Sequence, residues 1–425
     1  MKNNNRWFRL DNSAKLYPAI SNRHWTNMFR HSATLYEDVD IEILNQALKN
    51  TVPRFPSIAA RIARGLFWYY VQPLKEAPDI MKEYCHPMTY MSLREIRKCA
   101  IRVIVYKKRI AVEFFHSITD GTGGLIFLKS LVAEYLELKH NISIPCECGI
   151  LSRDENPKHY ELEDAYLKVS SPAKDNSKEE NAWEVLGTPE QDGFLNITNF
   201  QMSSQKLLDL AHEYDVSLNT MLVAILMKAI LNLQFDLVKN PKKLKPIKIF
   251  VPVNLRPLFD SRTLRNFILY ILPEIDPKMG DYTLEEIVKI VHHKIGLCYT
   301  KKYMSKMIQT NIETEKSMVI RLIPLFLKNI VMNLVWRSVG KKTLTLSFSN
   351  IGVVKLPEIM QPYVEKMDFI LNPQATAPYN ATAYTFNGTL NLTFTRNIKE
   401  ARIESYFFRE LQRLGIEATV QSNQR

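Results

Sequence analysis

Five cysteines in 425 residues are too few for a disulfide framework, and an odd number leaves one unpaired. Cys146-x-Cys148 has no second Cys/His pair at ligand spacing nearby, so no metal site is expected there. The first residues, Met1-Lys2-Asn3-Asn4-Asn5-Arg6, lack an apolar core of signal-peptide length. Long apolar runs are missing too. Lys228 interrupts residues 221–231, while Arg321, Pro324 and Lys328 interrupt residues 318–336. Neither stretch offers the ~18 uninterrupted apolar residues of a membrane span. These absences predict a reduced, cytoplasmic protein. GxxxxGK[ST], GxGxxG and HExxH do not occur, which argues against nucleotide hydrolysis, dinucleotide binding and a metal-dependent protease. No nucleic-acid-binding signature is present, and the aromatics lie in apolar strands rather than among Lys and Arg.

What is present is ordinary globular material. Hydrophobic residues make up 46% and charged residues 24%, and the length suits two large domains. The formal charge of +12 favours anionic partners, leaving nucleic acid, a membrane surface and a phosphate-bearing cosubstrate open on that count. The basic residues are scattered. Short clusters such as Lys242-Lys243-Leu244-Lys245 read as solvated faces.

The pattern along the chain alternates irregularly between strand and helix. Residues 33–37 read as a strand, and Asp40 as the N-cap of a helix over 41–50. Residues 66–71 are strand-like, and 101–106 with 109–115 read as a hairpin turning at Lys107-Lys108. A helix with period 3.6 follows to about Lys139. Residues 145–191 are polar and rich in turn residues, including Ser171-Pro172-Ala173-Lys174-Asp175-Asn176, and form the expected connection. Beyond it, 200–202 reads as a strand, Ser203 and Ser217 as N-caps, 218–233 as a buried helix, and 247–253 and 267–272 as strands. Long helices are expected over 284–310 and 319–339, and a strand over 344–349. Asn387-Gly388 marks a hairpin, and a last helix over 400–414 stops at Gly415. The organisation expected is 1–150 as one half, 151–195 as connection and 196–425 as the other half, with mixed sheets in both.

The stretch running from Glu113 to Gly124 stands out. A strand ends at His116, Asp120-Gly121 follows four residues later, and a glycine-rich segment opens a helix. A neutral imidazole takes a proton at cellular pH as no other unperturbed side chain does. The positive end of the helix disfavours its protonated form. Asp120 either caps that helix or pairs with an arginine from the other half. A plain architectural reading, a buried histidine beside a capping aspartate, carries equal weight on this stretch alone.

Residues 115–121, Phe115-His116-Ser117-Ile118-Thr119-Asp120-Gly121, resemble the HxxxDG motif of the chloramphenicol acetyltransferase-like superfamily. That group includes alcohol acetyltransferases, plant BAHD acyltransferases, polyketide-associated acyltransferases and condensation domains. The chain is similar to the alcohol acetyltransferase-like branch over nearly its whole length. Tyr36-Glu37-Asp38-Val39-Asp40, Arg54-Phe55-Pro56, Val253-Asn254-Leu255-Arg256, Asn266-Phe267 and Phe348-Ser349-Asn350-Ile351-Gly352 follow in the shared order. Two departures are evident. Phe115 stands where many members carry the first of two histidines, and the BAHD signature DFGWG is absent.

The resemblance implies an α/β (α+β) architecture in which two similar domains, each a mixed sheet flanked by helices, meet along a central tunnel. It implies acyl-CoA as cosubstrate, no permanently bound cofactor, and a small-molecule or lipid acceptor. His116 is then the base that deprotonates an acceptor hydroxyl, and Asp120 holds the loop by pairing with Arg256. Gly121 permits the tight turn after the loop, and Ser349 or Asn350 serves the oxyanion. Two other readings stay open: a donor carried on an acyl carrier protein, and a catalytically silent binding scaffold.

Overall fold

The hairpin legible at 101–115 pairs Ile101–Tyr106 with Arg109–Phe115, and Lys107 takes the left-handed conformation its turn requires (φ 49°). The computed structural model describes residues 7–424 except 16, 23–24, 84–86, 172–179, 317–321, 336–342 and 374–378. The first six residues, most of the turn-rich 171–176 stretch and both ends of the helix expected over 319–339 therefore lie outside the described residues.

Met28–Leu35 lies antiparallel beside Arg109–Phe115 and begins earlier than expected. Nearly every residue in it is buried, so no polar alternation marks its start. Ile80–Lys82 adds a parallel strand at one edge. The other edge of this five-stranded sheet is Val364–Leu371, antiparallel to Met28–Leu35. No strand is expected there from sequence, because Glu365, Lys366 and Asp368 dilute its apolar content. It comes from the stretch 196–425 but completes a sheet whose other strands lie within residues 28–115. The helices Ile41–Thr51 and Gly121–His140 pack with one face of this sheet, the first capped by Asp40 through the N–H groups of Glu42 and Ile43.

An eight-stranded mixed sheet forms the second layer, in the order Ile268–Ile271, Ile247–Asn254, Leu346–Val353, Tyr379–Phe386, Thr389–Arg396, Asn196–Ser203 and Ala418–Ser422, with Glu274–Ile275 paired beside Ile247–Asn254. Asn387 (φ 46°) and Gly388 (φ 75°) turn its central hairpin as the dipeptide predicts. Its apolar face is buried by Leu218–Leu237, Leu284–Cys298 and Arg402–Arg413. The last helix ends before Gly415 at φ 68°. Leu218–Leu237 is long and apolar enough to cross a membrane, contrary to the expectation from Lys228, but 72% of its apolar window is buried inside the protein. The helix expected over 284–310 is two helices, because Tyr299 leaves helical geometry and the Thr300 hydroxyl accepts from the Tyr303 N–H (3.2 Å) to start the second. A third sheet of three short strands contains the hairpin of Ala60–Arg64 and Tyr69–Pro73.

The two large sheets meet through hydroxyls. Thr382 donates to the Phe369 carbonyl and Thr395 to the Leu371 carbonyl, both at 2.6 Å, so the edge strand Val364–Leu371 is satisfied by the polar face of the larger sheet. Replacing Thr382 by Val should leave the Phe369 carbonyl without that donor and lower stability by about 1–3 kcal/mol. Denaturant unfolding checks it.

Candidate active site

The motif loop is fixed at both ends by backbone hydrogen bonds. His116 donates its N–H to the Asn27 carbonyl (3.0 Å), Ile118 donates to Phe115 (3.1 Å), and the Ser117 hydroxyl donates to Ala14 (2.9 Å). Asp120 then fills both roles left open for it. Its Oδ1 accepts from the N–H groups of Thr122 and Gly123 (3.1 Å each), capping Gly121–His140. The same carboxylate receives Arg256 Nη2 at 3.0 Å on Oδ1 and Nη1 at 2.9 Å on Oδ2, and the Phe267 N–H at 3.0 Å. Arg256 is buried, and it also donates to the carbonyls of Thr263 and Arg265 (2.7 Å each). It is a cross-brace between chain segments rather than a surface arginine.

His116 is oriented by Asn266. The Asn266 amide nitrogen donates to the His116 carbonyl (3.1 Å) and to Asp11 Oδ2 (3.3 Å), and these acceptors set which way the amide points. Its Oδ1 then faces His116 Nδ1 at 3.2 Å, so Nδ1 carries the proton and Nε2 keeps its lone pair. The imidazole stacks on Tyr17 at 4.8 Å between centroids, and Phe29 meets it edge-on at 5.1 Å. Burial pushes the His116 pKa below its ordinary value of 6.5. Asp11 in turn pairs with Arg265, and burial holds its carboxyl above the usual range. Asn266 had only a place in a motif, with no role; Asp11 and Tyr17 carry no local sequence signal at all.

The glycines act differently from expectation. Gly121 is the first residue of the helix and has no left-handed backbone, so it does not serve a tight turn. Its smallness matters instead, since a Cβ there would stand 3.0 Å from Ile351 Cδ1. Gly123 is more constrained: a Cβ would lie 2.1 Å from Thr119 Oγ1 and 2.4 Å from the Leu264 carbonyl oxygen. Thr119 Oγ1 donates to that same carbonyl at 2.7 Å, another tie between distant segments. Ile351 brings the end of Leu346–Val353 against the motif helix. Ser349 and Asn350 precede it on that strand and are partly buried. Asn350 donates to Asn219 Oδ1 (3.3 Å) and accepts from the Gly352 N–H (2.8 Å). Among the described residues, no hydrogen bond joins Ser349 or Asn350 to the His116 loop.

Arg54, from the Arg54-Phe55-Pro56 segment, makes a two-pronged pair with Glu161 of the connection (2.7 and 2.8 Å), and the Glu161 carbonyl accepts from the Leu264 N–H (2.8 Å). A cavity of about 600 Å3 opens between the two large sheets, lined by Arg30, Glu83, Arg109 and Asp368 on one side and Asn199 and Thr393 on the other. His116 is not among its lining residues; the Tyr17 and Phe29 rings pack against its partly exposed imidazole. Among the described residues no group of His, Cys, Asp and Glu could hold a metal ion.

No family model and no curated protein matches the sequence. Solved structures match over nearly its whole length. TRI101 of F. graminearum, complexed with coenzyme A and deoxynivalenol, aligns with a TM-score of 0.63 at 10% identity, covering 98% of this chain and 99% of that one. The starter condensation domain of rhizomide synthetase RzmA, in complex with C8-CoA and Leu-SNAC, aligns at 0.63 and 11%, covering 96% and 93%. Polyketide synthase associated protein 5 from Mycobacterium tuberculosis aligns at 0.59 and 14%, covering 95% and 96%. The chain shares the fold of these three structures. The pairing of Asp120 with Arg256 ties the motif loop to a segment 136 residues further along the chain.

Arg256→Ala should destabilise the protein by roughly 3–5 kcal/mol, because it strands a buried carboxylate, and Gly123→Ala should disrupt the loop for lack of room; thermal melts check both. Stability should also fall with acid. The unfolded His31 imidazole takes its proton near 6.5, whereas burial lowers the folded value to about 3. Protonation thus favours the unfolded chain as pH drops from about 6.5 towards 3, and the contribution is intact above that window. His31→Phe should flatten the stability–pH profile in that window.

Proposed function

We propose that the chain is an acyltransferase that moves an acyl group, acetyl in the simplest case, from acyl-CoA to the hydroxyl of an alcohol-type acceptor. The observation that carries this reading is the His116 imidazole, whose Nδ1 is engaged by Asn266 while Nε2 makes no hydrogen bond among the described residues. Burial keeps it neutral and therefore basic. His116 Nε2 takes the hydroxyl proton as the acceptor oxygen attacks the thioester carbonyl. The tetrahedral oxyanion collapses, expelling the coenzyme A thiolate, which receives the proton back from His116. Asp120 and Arg256 hold the loop and touch no reacting atom. Of the two oxyanion candidates, Ser349 has the freer side chain, since Asn350 already donates to Asn219. Residues 1–150 and 196–425 act as the two halves, joined by 151–195. Coenzyme A is a cosubstrate here, with no permanently bound cofactor, and the reduced cysteines suit the cytoplasm.

Structures of the same fold lend support in what they contain: coenzyme A with deoxynivalenol in TRI101, and C8-CoA in the RzmA domain. The RzmA domain and the polyketide synthase associated protein also favour a second reading, in which the acyl donor rides on a carrier protein. Side-by-side assays with acyl-CoA and acyl-loaded carrier protein separate the two. A silent scaffold is the remaining alternative.

His116→Ala should abolish thiol release from acyl-CoA while leaving the circular dichroism spectrum unchanged; full turnover in that variant would sink the proposal. The acid limb of the rate should lie below pH 6.5, because the base works only above its own lowered pKa. A limb above pH 6.5 would speak for a different base.

A further inference from the structure

The helix Leu325–Val335 is turned with Lys328 and Asn329 inward. Lys328 is buried, donates to the Phe67 carbonyl (3.1 Å) and sits 3.5 Å from the centre of the Trp68 ring. Asn329 donates to the Tyr69 hydroxyl (2.8 Å). What faces outward is apolar. Phe326 (53% exposed), Ile330 (55%) and Leu334 (60%) form one ridge at fourfold spacing, and Leu322 just before the helix is exposed too (74%). The ridge extends onto the neighbouring turn, where Leu66 is 73% exposed and its carbonyl accepts from the Leu325 N–H (2.9 Å). A contiguous patch of this kind is not ordinary surface.

Charge says what covers it. Between Glu42 and Glu76 the chain holds five lysines and arginines and no acidic residue, and Lys49, Arg61, Arg64 and Lys75 are exposed. Of these, Arg61 and Arg64 stand on the strand that leads into the turn of Leu66. Two copies of the chain meeting here would set cation against cation. We propose that this face docks on an anionic lipid bilayer. At 11 residues the helix is about 16 Å long, well short of the ~30 Å hydrocarbon core. It lies in the interface with its ridge among the acyl chains and the arginines at the headgroups. The helix packs against Tyr17–Ile20, whose Tyr17 ring stacks on His116. If the acyltransferase reading holds, the docked face therefore presents the site to an acceptor dissolved in the bilayer.

The test is co-sedimentation of the full chain with phosphatidylcholine vesicles, with and without phosphatidylglycerol, in the absence of any turnover, so that its failure is distinct from a failure of the acyltransferase reading. The wild-type chain should partition onto the phosphatidylglycerol vesicles and leave them as salt rises. The F326S/I330S/L334S variant should bind roughly a hundred-fold more weakly. R61E/R64E should lose the preference for phosphatidylglycerol, and it keeps the test decisive should the triple variant fold poorly. Wild-type protein that ignores both vesicles overturns the proposal. So does equal binding by the variants, or a wild-type dimer in sedimentation velocity that the triple variant abolishes.

Discussion

The carboxylate of Asp120 accepts four hydrogen bonds, from its own helix, from Arg256 and from the Phe267 backbone, and pairs with Arg256 through its second oxygen as well. A buried charge is tolerable only when its lone pairs are filled and a counter-ion is close. Here that requirement locates everything around it. Fixing the Phe267 N–H fixes the preceding residue, whose own N–H is taken by Asp11 at 3.1 Å. Asn266 is thus gripped from both sides before it touches the imidazole. The tautomer of His116 is set two steps away, by carboxylates that make no hydrogen bond with its ring.

How much of this the sequence discloses depends on distance along the chain. The hairpin at 101–115, the Asn387-Gly388 turn and the caps at Asp40, Ser203 and Ser217 are local, and each appears where its residues predict. His116 and Asp120 are legible through type and spacing. Arg256 and Asn266 become visible only through resemblance to other chains. Asp11 and Tyr17 come from the N-terminal segment, with nothing in their own neighbourhood to mark them. Val364–Leu371 stays hidden for another reason: one face looks onto a polar cavity, so its charges are satisfied there and mask a strand.

That cavity gives the first sheet two unlike faces. Towards the motif helix lie Phe29, Phe114 and Phe369, packed ring against ring. On the opposite face Arg30 bridges Glu83 (2.6 Å) and Glu113 (3.4 Å), and Lys366 meets Asp368 at 3.0 Å. Ion pairs so enclosed specify geometry more than they add stability. They align the sheet with the threonine-rich face across from it.

The edge strand has a consequence for how the molecule is made. Val364 lies opposite Leu35, so the first sheet stays one strand short while most of the chain is synthesised. Until residue 371 has left the ribosome, Met28–Leu35 is an edge with one side of its backbone unpaired. The nascent N-terminal half spends that interval open to pairing with other chains, and its exposure to aggregation is set by the rate of translation rather than by the stability of the finished fold.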